Sequence, residues 1–143
     1  KLFRASSVKS IAEFNSNAAT ADVLPRIVIV LDEYADLVTE PEVKSAIEGS
    51  MKRLAAKARA SGIHVIIATQ KPSAENLSTT IRSNLPAQLA LKCRGRQESI
   101  IIMNESGAEA LNGKGDAFIK MGDSVERIQC ALYSESDEPK TIN

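Results

Sequence analysis

Apolar positions in this chain gather into short unbroken runs separated by longer stretches with helical spacing. Pro25 leads into Arg26-Ile27-Val28-Ile29-Val30-Leu31, a β-branched run of the kind that forms a strand buried on both faces of a parallel sheet. Ile63-His64-Val65-Ile66-Ile67-Ala68 repeats the signal. Between the two, Thr39 and Glu42 are spaced as a capping box, and Val43, Ile47, Met51, Leu54 and Ala58 recur at helical intervals up to Gly62, which predicts one long amphipathic helix. Further on the pattern predicts a helix over 75–83, a third strand over 87–93, helical turns over 97–104 and 108–111, and two short strands, 117–121 and 127–132. Gly113, Gly115 and the Gly122-Asp123 turn bracket those last strands as a hairpin. Residues 1–23 read as a short helix followed by a polar linker at 15–22, and residues after Ser134 read as a frayed tail. Parallel strands joined by helical crossovers and closed by a hairpin predict a three-layer α/β/α sandwich, mostly parallel, with ligands beyond the strand C-termini.

Composition narrows the function only slightly. A chain of 143 residues, 43% hydrophobic, can bury one core. Eighteen basic and eighteen acidic residues leave no formal net charge, so any nucleic-acid contact must be local. Cys93 and Cys130 stand alone, without zinc-ligand spacing or a disulfide framework, and are expected to be reduced and buried, consistent with a cytoplasmic chain. No apolar run approaches the roughly 20 residues that span a bilayer, and no signal peptide opens the chain. The first residue is Lys1 rather than Met, and the expectation is a fragment of a longer protein divided as 1–24, 25–134 and a flexible tail at 135–143.

Candidate chemistry lies where the strands end. Asp32 and Glu33 follow the first buried run directly, which puts two carboxylates at the ligand edge of the sheet. In this Walker B arrangement Asp32 holds Mg²⁺ and Glu33 orients and polarises a water for attack on a γ-phosphate. Taken alone, such a pair equally caps the next helix or meets solvent. The second run ends in Ala68-Thr69-Gln70-Lys71-Pro72-Ser73, which brings Thr69 and Gln70 to the same edge; the amide of Gln70 can sense a γ-phosphate or its attacking water. Otherwise these two residues satisfy loop backbone groups. Tyr34 braces the acidic loop or meets another subunit. His64 reads as an interior residue and not a ligand. Lys44, Lys52, Arg53, Lys57 and Arg59 line the long helix as solvated charge, with Glu48 and Lys52 spaced as an i,i+4 pair.

The stretches 27–37 (IVIVLDEYADL) and 55–73 (AAKARASGIHVIIATQKPS) closely resemble the FtsK/SpoIIIE translocase motor. Ile81-Arg82-Ser83-Asn84-Leu85-Pro86, Gly107-Ala108-Glu109-Ala110-Leu111 and Gly113-Lys114-Gly115-Asp116 continue the resemblance, so it covers about residues 25–132. It implies a partial RecA-like P-loop NTPase core, ATP and Mg²⁺ as cofactors, movement along double-stranded DNA, and a ring, commonly a hexamer, with nucleotide held between subunits and any membrane anchor in other parts of the parent. It makes Asp32, Glu33 and Gln70 the catalytic set and Asp32, Thr69 and Gln70 the nucleotide-contacting set. Two departures qualify it. No G-x-x-x-x-G-K-[ST] phosphate loop occurs in residues 1–31, so this chain by itself is expected to bind ATP weakly and not to turn it over. Where the family usually places arginines, this sequence has Gln88 and Ile100; Arg94 and Arg96 are the nearest substitutes for a trans-acting finger. Lys71 and Arg82 are the nearest candidates for DNA-phosphate contacts, with Lys92 and the same two arginines behind them. The alternative is a non-catalytic RecA-like module that binds DNA or a partner.

Overall fold

The structure is a computed structural model that describes residues 2–55 and 58–134, so the tail expected at 135–143 lies outside the described residues. The chain divides into two compact units, Lys1–Asn84 and Leu85–Asn143. The fold is α/β, with a parallel strand pair in the first unit and an antiparallel sheet in the second.

In the first unit α1 (Leu2–Ala5) and α2 (Ile11–Asn17) precede a 3-10 turn at Thr20–Asp22. The predicted linker at 15–22 is therefore largely structured. Ser10 caps α2 by accepting from the Glu13 N–H at 3.2 Å, while the Glu13 carboxylate accepts from the Lys9 N–H at 2.8 Å, a reciprocal arrangement close to a capping box. Asn15 then grips the Leu24 backbone twice, its amide donating to the carbonyl and its oxygen accepting from the N–H, both at 2.9 Å. Ile11 is buried against the turn at Gly62. A Cβ on Gly62 would stand 2.9 Å from Ile11 Cγ2, and the φ of +69° there is one that side-chain-bearing residues rarely adopt.

Strands β1 (Ile27–Leu31) and β2 (Ile63–Ile67) pair in parallel, Ile27 opposite Ile63 through Leu31 opposite Ile67. After β1 come the single turn α3 (Tyr34–Leu37), the long α4 (Pro41–Ala55) and the short α5 (Ala58–Ser61). Thr39 does not cap α4. Pro41 takes the first helical position, where its missing N–H costs nothing, so Thr39 falls outside the helix and its hydroxyl donates to the Asp36 carbonyl. Ile29, Leu31 and Val65 share an apolar cleft of about 390 Å³ with Val43, Ile47 and Met51 of α4. The opposite face, Val28, Val30, His64 and Ile66, is exposed. Burial on both faces is thus not met, and His64 is not interior, because a helix lies over only one side of the pair. After β2, Ser73 and Ser78 accept from the N–H groups of Asn76 and Ile81 and lead into α6 (Thr79–Asn84), shorter than the helix expected over 75–83. Among the described residues no ion pair joins Glu48 to Lys52; Glu48 Oε1 is buried without a hydrogen-bond partner, and its charge bears on Tyr34.

In the second unit β3 (Ala87–Leu91) pairs antiparallel with β4 (Asp116–Met121), which forms the expected hairpin with β5 (Ser124–Gln129). Helix α7 (Arg96–Met103) and a 3-10 turn at Ala108–Ala110 pack a core of Ala90, Cys93, Met103, Ala108 and Leu111 against one sheet face. Ser99, also buried, ties the two segments by donating to the Glu105 carbonyl and accepting from the Ala108 N–H. Both cysteines are free thiols; Cys93 is buried as expected, whereas Cys130, at the hairpin's end, is only half-buried. Gly115 has a φ of +87°, and a Cβ there would meet Gln129 Nε2 at 2.8 Å and the Cys130 carbonyl at 3.0 Å, so the Gly-Lys-Gly-Asp stretch admits only glycine at this point. The following Asp116 accepts two bonds from Arg127, Nε at 2.9 Å and Nη2 at 2.7 Å, and a third from the Asn112 N–H at 2.8 Å. Among the described residues no helix is long and apolar enough to cross a membrane.

Tyr34 is 0% exposed, its hydroxyl has no hydrogen-bond partner, and burial, then the Glu48 charge, push its pKa up. Tyr34→Ala should cost about 3–5 kcal/mol in urea unfolding by opening a cavity, whereas Tyr34→Phe should stay within about 1 kcal/mol of the parent or exceed it. The Arg127 guanidinium, then the Asn112 N–H, hold the Asp116 carboxyl at about 2. A depressed carboxyl stabilises the fold above its unfolded value, about 3.9, and that stabilisation fades as pH falls towards 2. Acid unfolding of the chain should steepen between about pH 4 and 2, and Asp116→Asn should flatten that window.

Candidate functional site

The site begins where β1 stops. Leu31 is the last strand residue, Asp32 turns into solvent, and Glu33 takes a left-handed backbone, φ 41° and ψ 62°. A left-handed non-glycine residue costs about 1 kcal/mol or more and persists only where its surroundings over-determine it. Here they do. The Ala68 N–H donates to the Leu31 carbonyl at 2.9 Å, and the Tyr34 N–H donates to the Ala68 carbonyl at 2.8 Å. These bonds continue the β1–β2 ladder past both strand ends. Tyr34 then drives its ring into the core, so of the two roles expected for it the structure provides the brace.

The Glu33 side chain closes the arrangement. Its Oε1 accepts from the Thr69 hydroxyl at 2.8 Å, and the Gln70 N–H donates to Oε1 at 3.3 Å and to Oε2 at 3.1 Å. Asp32 Oδ1 accepts from the Glu33 N–H at 3.0 Å, and the residue is exposed. The structure thus brings Asp32, Glu33, Thr69 and Gln70 to one edge. Gln70 contributes its backbone N–H, and the residue is exposed. Neither the left-handed turn at Glu33 nor the Ala68–Tyr34 bond shows in the sequence, because neither depends on a distinctive side chain.

Such an edge suits one divalent cation only in part. Among the described residues no group of three or more His, Cys, Asp or Glu side chains converges to hold a metal. Asp32 fits a Mg²⁺ ion that keeps waters and takes its other ligands from phosphate oxygens, and does not fit an all-protein cage.

The basic candidates lie elsewhere. Lys71 follows Gln70 on the exposed loop, where its Nζ stands 3.4 Å from Asp36 Oδ1, a surface pair of small energetic worth. Arg82 sits half-buried on α6, with its Nε shielded from solvent. Arg94 and Arg96 belong to the second unit and are exposed at the start of α7, where the Arg94 N–H donates to the Glu98 carboxylate at 2.8 Å.

The family model described as FtsK/SpoIIIE matches residues 1–74, which contain the whole acidic edge. A DNA translocase FtsK of Streptococcus pyogenes is 38% identical across 100% of this chain, which covers 19% of that protein. The DNA translocase SpoIIIE of Bacillus subtilis is 37% identical over 90% of the chain and 16% of its own length. The chain therefore spans about a fifth of the length of the curated relatives it matches. Among solved structures, the pCW3 conjugation coupling protein TcpA, in a monomer form with ATPγS, superposes with a TM-score of 0.78 at 30% identity, over 90% of this chain and 38% of that one. The cytoplasmic domain of the Thermomonospora curvata type VII secretion ATPase EccC gives 0.78 at 20% identity, over 97% and 16%; its likeness concerns the fold alone. The fold is that of part of a RecA-like ATPase motor core, and the chain belongs to the FtsK/SpoIIIE family.

Proposed function

We propose that this chain is the acidic-edge part of an ATP-driven double-stranded DNA translocase motor, serving chromosome segregation or DNA transfer. The observation that carries the reading is the fixed Glu33 carboxylate beside Asp32, at the shared C-terminal end of two parallel strands. Parallel α/β sheets place ligands at that edge, and the FtsK and SpoIIIE relatives named above are DNA translocases.

In the intact motor residues 25–134 form one partial motor domain. Asp32 holds Mg²⁺ together with nucleotide phosphates, and the ion supplies charge neutralisation on the transferring phosphoryl group. Glu33 accepts a proton from the attacking water, and the Gln70 side chain reports the state of the γ-phosphate to the Lys71 loop. Lys71 and Arg82 are the candidates for DNA-phosphate contacts, and Arg94 or Arg96 for a trans-acting arginine in a ring, commonly a hexamer. The phosphate cradle comes from residues outside this chain, since residues 1–31 hold no glycine-rich phosphate loop. The chain alone is accordingly expected to bind ATP weakly and to hydrolyse none. The motor works in the cytoplasm, with any membrane anchor in other parts of the protein.

The reading is tested in the intact protein by Glu33→Gln, which keeps size and removes the base. DNA-stimulated ATP hydrolysis should fall by about a hundredfold or more, while nucleotide binding stays close to the parent's. Undiminished hydrolysis would rule out Glu33 as the base and leave the acidic pair without a catalytic part.

A further inference from the structure

Glu33 is held unequally by its two oxygens, and the asymmetry identifies a residue that sets its aim. Oε1 accepts from the Thr69 hydroxyl at 2.8 Å and also takes a long bond, 3.3 Å, from the Gln70 N–H; Oε2 takes only the 3.1 Å bond from that same N–H. The Thr69 hydroxyl is itself oriented. Its oxygen accepts from the Lys71 N–H at 3.1 Å, and a backbone N–H can only donate, so the single hydroxyl proton is left for Glu33. The direction of the chain Lys71 N–H to Thr69 Oγ1 to Glu33 Oε1 is thus fixed by chemistry. With the backbone of Glu33 pinned by the Tyr34 N–H on the Ala68 carbonyl, neither end of the side chain is left to drift.

We propose that Thr69 is the positioning residue of this edge: its hydroxyl anchors Glu33 through Oε1 and so leaves Oε2 as the oxygen that takes the proton of the attacking water. The inference rests on the reading of Glu33 as the water-activating base. In the step it describes, a water O–H bond breaks and its proton goes to Glu33 Oε2. The water oxygen forms the new bond to the γ-phosphorus, and the bond from that phosphorus to the bridging oxygen breaks, the electron pair leaving with ADP. The proton then passes from Glu33 to the released phosphate or to solvent. Thr69 changes no bond in this sequence. Its part is geometric, and misplacement of a reacting group by about 1 Å costs on the order of a hundredfold in rate.

The test uses the intact motor, assayed for DNA-stimulated ATP hydrolysis. Thr69→Val keeps the shape and removes the hydroxyl; it should lower kcat by about tenfold to a hundredfold with KM within about twofold, and Thr69→Ser should restore kcat to within about threefold of the parent. If Thr69→Val proves poorly folded in a thermal melt, Thr69→Ala against Thr69→Ser gives a pair that differs only by the hydroxyl, and the same gap in kcat is expected. Equal kcat for Ser and Ala, or a Thr69→Val loss confined to KM, overturns the proposal. Glu33→Gln run in parallel separates the two levels of failure. If it abolishes hydrolysis while the Thr69 variants leave kcat unchanged, Glu33 is the base and Thr69 does not aim it; if Glu33→Gln is itself silent, the underlying reading fails.

Discussion

The structure of the candidate site depends on a single bridge between strand ends, from the Glu33 carboxylate to the Thr69 hydroxyl and the Gln70 N–H. Glu33 adopts a backbone that most side chains avoid, and the bridge, together with the Tyr34 N–H on the Ala68 carbonyl, compensates for that strain. The strain has a geometric result. It ends β1 abruptly, leaves Asp32 exposed and turns Glu33 toward Thr69 and Gln70 just past β2, so two adjacent carboxylates come to occupy different environments. One is exposed; the other is half-buried, hydrogen-bonded and fixed. Division of labour between neighbouring carboxylates commonly rests on such a contrast of surroundings.

The brace behind the bridge is apolar. Tyr34 fills the first unit's interior at the cost of an unpartnered hydroxyl that feels the Glu48 charge, which is tolerable because ring burial outweighs one unsatisfied hydroxyl. The second unit secures its own turn by a different means. There a glycine with no room for a side chain sets the path, and a doubly bonded Asp116–Arg127 pair holds the hairpin to it. Arg127 reaches diagonally across the β4–β5 ladder to Asp116, since Asp116 lies opposite Gln129 and Phe118 opposite Arg127. Planar guanidinium and carboxylate geometry makes such a pair directional as well as attractive.

How much of this was legible beforehand varied with the physics of each feature. The two β-branched runs announced β1 and β2 almost to the residue, because period and side-chain shape are local properties. Their burial was not legible, since Val28 and Ile66 look the same in sequence whether or not a helix covers them. Capping was misjudged in one place and overlooked in another. Thr39 and Glu42 have the right spacing, but Pro41 claims the first helical position; Ser10 and Glu13 have the same spacing inside a stretch that reads as one short helix but holds two, with Ser10 capping the second. At the site, the acidic pair and the Thr-Gln pair were each weak signals that gained weight from each other, and the parallel register that joins them follows from the strands. The left-handed turn at Glu33 was invisible, because backbone conformation there is imposed by hydrogen bonds to a segment 35 residues further along, at Ala68.

The bridge can be measured in the 143-residue chain through backbone amide hydrogen exchange followed by NMR at Tyr34, Ala68 and Gln70. All three amides should be protected, and Glu33→Ala should release Gln70 to exchange about tenfold or more faster while Ala68, bonded to the Leu31 carbonyl, keeps its protection. Free-loop exchange at Gln70 in the parent chain, or no change there on Glu33→Ala, would contradict the bridge.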